Sequence, residues 1–133
     1  MINITMMLAD MARVENGKLY ILGGGWDHLR GNSPFSFAVA ALIEIPMDGQ
    51  VVELQGDITL VDSDGRIWSA PDGSQIHVEF MIRAEQNDPN AMSQWLQIPQ
   101  AFNFNQVVLP IGRYSWRLTV GDGMATKSFS VTA

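Results

Sequence analysis

The chain has 133 residues, of which 47% are apolar and 17% charged, with a net charge of −6 and no cysteine. This length is typical of one domain around one core, and the apolar fraction excludes disorder of the whole chain. The missing cysteines exclude disulfides, thiolate metal sites and thiol catalysis. Because the eight Lys and Arg residues are scattered singly, we expect no nucleic-acid binding.

The N-terminal part predicts a hairpin followed by a glycine run. Apolar residues alternate with other residues over 2–8, which predicts a strand, and residues 10–15 are predicted as a helical turn or loop. The Asn16-Gly17 signal then predicts a turn into a second strand over 18–22. The glycines at 23–25 lack the following helix and the Lys of a phosphate-binding loop, so a turn, bulge or corner is predicted there.

The middle of the chain predicts three more strands. Alternation over 35–45 predicts a strand ended by Pro46, and its second face is also small or apolar, so we place it centrally or between two covering layers. Asp-Gly turns at 48–49, 64–65 and 72–73 separate it from strands over 52–60 and 76–83, where Gly56 predicts a bulge or a close approach. The polar segment 83–99 is predicted as the longest loop, with a turn at 87–90.

The C-terminal part completes an all-β pattern. Phe102 and Phe104 alternate with asparagines, and Tyr114, Trp116 and Leu118 form the inward face of a strand that Gly121-Asp122-Gly123 turns into a last one. Seven to nine strands without a helical period predict one domain over 1–133, a two-sheet antiparallel β-sandwich that is immunoglobulin-like or a jelly roll. Without a signal peptide or a long apolar run, we expect cytoplasmic synthesis and no membrane contact.

Two stretches bear on metal binding and catalysis. Residues 62–65 resemble the start of a calcium loop, but the remaining ligands are missing, which favours a turn. His28 and His77 lie 49 positions apart, and a site completed by Asp27 or Glu79 remains an alternative, as in a metal-dependent hydrolase. No Gly-x-Ser-x-Gly elbow is present. We therefore expect no catalytic residue, no metal, no cofactor and no enzymatic activity.

Contact with other molecules is predicted at six positions. Three apolar residues fall on otherwise outward positions of predicted strands, two tryptophans lie where no buried face is predicted, and one histidine follows a tryptophan closely. These residues are Met7, Tyr20, Met81, Trp26, Trp95 and His28.

Residues 8–26 resemble a family of small uncharacterised proteins of actinobacteria that also look at home in phages. Residues 43–46 and 110–118 resemble the family's other two landmarks, so the resemblance spans the chain. The family has no known function, so the resemblance implies the domain boundaries and no catalytic residue.

These observations favour a non-enzymatic protein-interaction or assembly module. We expect an accessory or decorating subunit of a phage particle or a similar homomeric assembly, whose partners are copies of itself or capsid or tail subunits, so that it is incorporated in a virion. The alternative is a cytosolic module that binds a small molecule or a host protein in a pocket lined by Trp26, His28 and Trp95.

Overall fold

The computed structural model describes residues 1–46, 51–85 and 95–133, which form nine strands. No helix in these ranges is long and apolar enough to cross a membrane. The strands are β1 (Asn3–Glu15), β2 (Lys18–Trp26), β3 (His28–Arg30), β4 (Phe35–Pro46), β5 (Val52–Asp62), β6 (His77–Ala84), β7 (Trp95–Val107), β8 (Gly112–Val120) and β9 (Gly123–Thr132).

The strands form two sheets. The four-stranded sheet has the order β2-β1-β4-β7 and is antiparallel, and the five-stranded sheet has the order β3-β9-β8-β5-β6. The predicted two-sheet β-sandwich is confirmed, but strand β3 runs parallel to β9, so the sandwich is not antiparallel throughout. The exception arises because β3 leaves the first sheet and joins the second at its edge, where no hairpin fixes its direction.

The strand order corresponds to the immunoglobulin-like connectivity of the two that the sequence left open. Strands β1, β4 and β7 take the places of strands A, B and E, and β9, β8, β5 and β6 take those of G, F, C and C′. The hydroxyl of Tyr114, near the start of β8, donates a hydrogen bond to the carbonyl oxygen of Pro110 at 2.7 Å. This is the arrangement of a tyrosine corner, which is typical of such sandwiches.

The main core lies between the two sheets, because alternate residues of the central strands face inward. Phe37 on β4 is its hub, with ring centroids 5.9 to 6.2 Å from Trp26, Phe104, Trp116 and Phe129. Trp116 is fully buried and stacks on Phe104 at 4.6 Å. The predicted core role of Trp116 is confirmed.

Several predicted local features are confirmed by the backbone. Strands β1 and β2 pair so that Leu8 lies opposite Trp26 and Ala9 opposite Gly24, which leaves Gly25, with a φ of 92°, as the extra residue of a bulge. A Cβ on Gly56 would overlap the Phe80 ring, so this glycine allows a close approach. Residues 62–65 form a turn, in which the Asp62 carboxylate accepts the N–H groups of residues 64 and 66.

Other predictions are wrong or lie outside the described residues. Residues 10–15 are strand, because their alternation continues to pair with β2 as far as Glu15 opposite Lys18. Residues 95–99 are also strand, because they pair with the end of β4. The short strand β3 was not predicted, since three residues carry no alternation. The turns predicted at 48–49 and 87–90 lie outside the described residues.

Candidate interaction surfaces

The β1–β2 hairpin folds back over the outer face of the four-stranded sheet. Beneath it lies a second apolar cluster of three buried alanines, Ala12 on β1 and Ala38 and Ala40 on β4. Their short side chains let the hairpin approach the sheet closely. Four partly buried residues complete the cluster, namely Met7, Leu19, Ile21 and Ala101.

An asparagine side chain holds the hairpin in this position. The Ala12 N–H donates to Oδ1 of Asn103 on β7 at 3.3 Å, and Nδ2 of Asn103 donates to the Ala12 carbonyl at 2.8 Å. Strands β1 and β7 are not neighbours in the sheet. The amide therefore acts like one more peptide group and fixes the hairpin to the far strand.

The opposite face of the hairpin carries large apolar side chains in solvent. Met11 pairs directly with Leu22, and Arg13 pairs with Tyr20 in the next outward row. Met11 and Tyr20 are 50% exposed and Leu22 is 66% exposed. Directly opposed residues lie on the same face of a sheet, so these four side chains form one surface, which we call the hairpin patch.

A cleft of about 670 Å³ opens between the hairpin and β7. Its polar lining comes from Asp10, Arg13, Asn103 and Asn105, while its apolar lining includes part of the hairpin patch. This volume is within the range of small-ligand sites.

The structure separates the three predicted outward residues. Met7 is half-buried in the second cluster, where the folded-back hairpin covers it. Tyr20 lies in the hairpin patch, and Met81 is 65% exposed on β6. Met11 and Leu22 were not predicted as contact residues, because residues 10–15 were not predicted as strand and β2 was predicted to end at Leu22.

The pocket predicted from two tryptophans and a histidine is not formed. Trp26 is half-buried against Phe37, which lies opposite Phe104 on β7, whereas Trp95 lies opposite Pro46. Nine positions along a strand correspond to about 30 Å, so Trp95 is at the other end of the sandwich.

The two histidines do not share a site either. Nε2 of His28 lies 2.6 Å from Oγ1 of Thr132. His77 is on β6, at the opposite edge of the five-stranded sheet, which is roughly 19 Å away at the usual strand spacing. The alternative of a metal site that contains both His28 and His77 is therefore wrong. Among the described residues no group of three His, Cys, Asp or Glu is placed to hold a metal ion.

Three free sheet edges carry features that oppose pairing with another chain. Strand β2 has the glycine bulge, and β7 contains Pro99, which has no N–H to donate. Lys127 on β9 lies opposite the inward-facing Trp116 and so points inward beside the part of β9 that β3 does not cover. Inward-pointing charges of this kind discourage edge pairing.

The fourth edge within the described residues, β6, carries charged side chains on its outer face but no bulge, proline or inward-pointing charge. It contains neither proline nor glycine and pairs with β5 without a register shift. Glu79 lies directly opposite Asp57, and like charges in that position are destabilising. Arg83 forms ion pairs with Glu53 at 3.3 Å and with Glu85 at 3.7 Å.

Comparison with known proteins identifies the chain at the level of a family. Searches of curated proteins and of solved structures returned no significant match. The model of a family of unknown function, DUF6941, matches residues 4–132. The chain therefore belongs to the DUF6941 family of unknown function.

Proposed function

We propose that this chain is a non-enzymatic protein-interaction module that acts as an accessory subunit of a larger assembly, such as a phage particle. The observation that carries the proposal is the hairpin patch, where Met11, Tyr20 and Leu22 lie side by side in solvent. Contiguous exposed apolar side chains are typical of contact sites between proteins. Because these side chains are already one third to one half covered, burying the rest of each would contribute about 1–2 kcal/mol to association.

The support of the hairpin favours a binding role for this patch. Its inner face is closed by the alanine cluster, and Asn103 fixes its backbone at Ala12. A surface that is already ordered loses little conformational entropy when a partner binds. The arrangement of three apolar side chains, Met11, Tyr20 and Leu22, beside the charged Arg13 also resembles the anchors that dominate binding energy in protein interfaces.

The experiment compares self-association of the wild type with that of two variants. Leu22→Asp places a charge in the hairpin patch, and Met124→Asp makes the same change at a similarly exposed site on β9. In light scattering over a concentration series, we expect the mass of the wild type and of Met124→Asp to rise well above the 14.7 kDa of the chain. Leu22→Asp should show a smaller rise, and an unchanged rise would contradict the proposal.

A second candidate function is binding of a small polar ligand in the cleft beside the hairpin. The favouring observation is its mixed lining, with Asp10, Arg13 and Asn105 facing the same space. Neutral sugars or dicarboxylates should then raise the Tm of the wild type, and not that of Asn105→Leu, in thermal-shift measurements. No shift with either class would remove this candidate.

A further inference from the structure

We infer that two copies of the chain pair through the free edges of their β6 strands, antiparallel about a two-fold axis, with Met81 opposite its counterpart. The inference deepens the proposed function, because it names one interface of the assembly. The five-stranded sheets of the two copies would join into one continuous sheet across the axis.

The β6 edge is open within the described part of the chain. The five-stranded sheet ends at β6, and no described strand lies beside its outer backbone groups. The other edges carry a bulge, a proline or an inward lysine, whereas residues 77–84 carry none of these. Such an edge, with an exposed apolar residue at its centre, is available for strand pairing when its charged side chains meet opposite charges on the second strand.

The charge pattern of residues 77–85 is complementary to itself in an antiparallel pair. In an antiparallel pair centred on Met81, Glu79 lies opposite Arg83 of the second copy, and His77 lies opposite Glu85. Each of these pairs occurs twice because of the two-fold symmetry. The side chains of all five residues are exposed on the outer face. Within the chain, Arg83 also contacts Glu53 and Glu85, and Nε2 of His77 lies 4.0 Å from Asp57.

The same charges exclude the neighbouring registers. A shift of two positions in one direction places His77 opposite Arg83, and in the other direction it places Glu79 opposite Glu85, which is a repulsive pair. A shift of one position would turn the inward residues of one copy towards the outer face of the other. The register centred on Met81 is therefore the favoured one.

Two carboxylates within the chain repel each other beside this edge. Glu79 is opposed by Asp57 on β5, and Arg83 lies two pairs further along, opposite Glu53. The isolated chain therefore places two carboxylates side by side at the sheet edge. Arg83 of the second copy would lie on the other side of Glu79 and offset this repulsion.

The inward face of β6 is compatible with the same pairing. In the register centred on Met81, Val78 lies opposite Ala84 of the second copy and Phe80 opposite Ile82. Val78 is partly exposed at the edge, while Ile82 and Ala84 are buried. Pairing would extend the apolar layer across the axis and cover Val78.

The test exchanges the charges that define the interface. Arg83→Glu places Glu opposite Glu79, and Glu79→Arg places Arg opposite Arg83, so we expect at least a tenfold weaker dimer in each variant alone. An equimolar mixture of the two variants should form a heterodimer, because a Glu again lies opposite an Arg in both exchanged pairs. Arg30→Glu, which makes the same charge change on β3 at the far edge, should dimerise like the wild type.

Analytical ultracentrifugation gives the readout, and circular dichroism verifies that each variant is folded. Glu79→Arg also removes the repulsion with Asp57, so its Tm should not fall although its dimer is lost. A wild type that stays monomeric at several hundred micromolar, or an Arg83→Glu variant that dimerises normally, would overturn the inference. A mixture of folded variants that stays monomeric would overturn it as well.

The two proposals fail in different ways. If the hairpin patch does not act in assembly, Leu22→Asp leaves the association of the wild type unchanged. If only the β6 interface exists, association stops at twice the mass of the 14.7 kDa chain and is weakened by Arg83→Glu and by Glu79→Arg but not by Leu22→Asp. If only the hairpin contact exists, the β6 variants associate like the wild type.

Discussion

The two apolar clusters of this molecule are built from different side chains. The main core between the sheets contains large aromatic rings around Phe37. The second cluster, beneath the hairpin, has three alanines as its fully buried members. The first holds its elements together through the area that each side chain buries, whereas the second depends on close approach of two backbones.

The two apolar clusters therefore stabilise different parts of the chain in different ways. A large buried ring contributes several kcal/mol by itself, so the main core tolerates no loss of volume. An alanine contributes little area, so the hairpin relies on Asn103 to complete its hydrogen bonds. The hairpin layer should therefore open without global unfolding, while the main core should not.

The largest expected effect is the loss of Phe37. Phe37→Ala removes the ring that contacts both sheets, and we expect the free energy of unfolding to fall by about 3–5 kcal/mol. Urea denaturation followed by tryptophan fluorescence measures the change. A loss below about 1 kcal/mol would mean that the main core does not depend on its central ring.

Overfilling the second cluster is the next test. Ala40 lies almost fully buried between the sheet and the hairpin, so Ala40→Leu should displace the hairpin and lower the free energy of unfolding by about 1–3 kcal/mol. Ala125→Leu, at a half-buried alanine of β9 in the other sheet, is the control. Equal effects of the two substitutions in urea denaturation would show that the hairpin is not closely packed.

Removal of the amide clamp should have a smaller and more local effect. Asn103→Ala leaves the N–H and the carbonyl of Ala12 without these partners, which we expect to lower stability by about 1–2 kcal/mol. Amide hydrogen exchange should accelerate at Ala12 and not at Trp116 in the main core. Asn105→Ala, two positions along β7, is the matched control, and acceleration at both sites would contradict a local role.

The sequence predicted the main core well, because large apolar residues alternate along β4, β5 and β8. It also indicated that β4 is covered on both faces, from the small residues at Ala38 and Ala40. It could not identify the hairpin as the cover, because Asn103 acts through a contact 91 positions away from Ala12. The charge symmetry around Met81 is visible in the sequence, but only the structure places these residues on β6, at the open edge of the five-stranded sheet.

The smallest expected effect concerns Tyr114, at the end of the main core. Its hydroxyl donates to the Pro110 carbonyl at 2.7 Å, so Tyr114→Phe should lower the free energy of unfolding by about 1 kcal/mol at neutral pH. Burial, with a smaller contribution from the nearby Asp62 carboxylate, raises the pKa of Tyr114 above its ordinary value of 10.0.

The raised pKa gives this prediction a pH signature. Above about pH 10 the unfolded chain loses the Tyr114 proton before the folded chain does, so the stabilisation present at lower pH is lost as the pH rises towards the folded pKa. Tyr114→Phe should therefore lose less stability than the wild type as the pH rises above about 10. The slopes of unfolding free energy against pH, measured by urea denaturation of the two proteins, test this difference. Parallel slopes would show that the corner hydroxyl acts through its hydrogen bond alone.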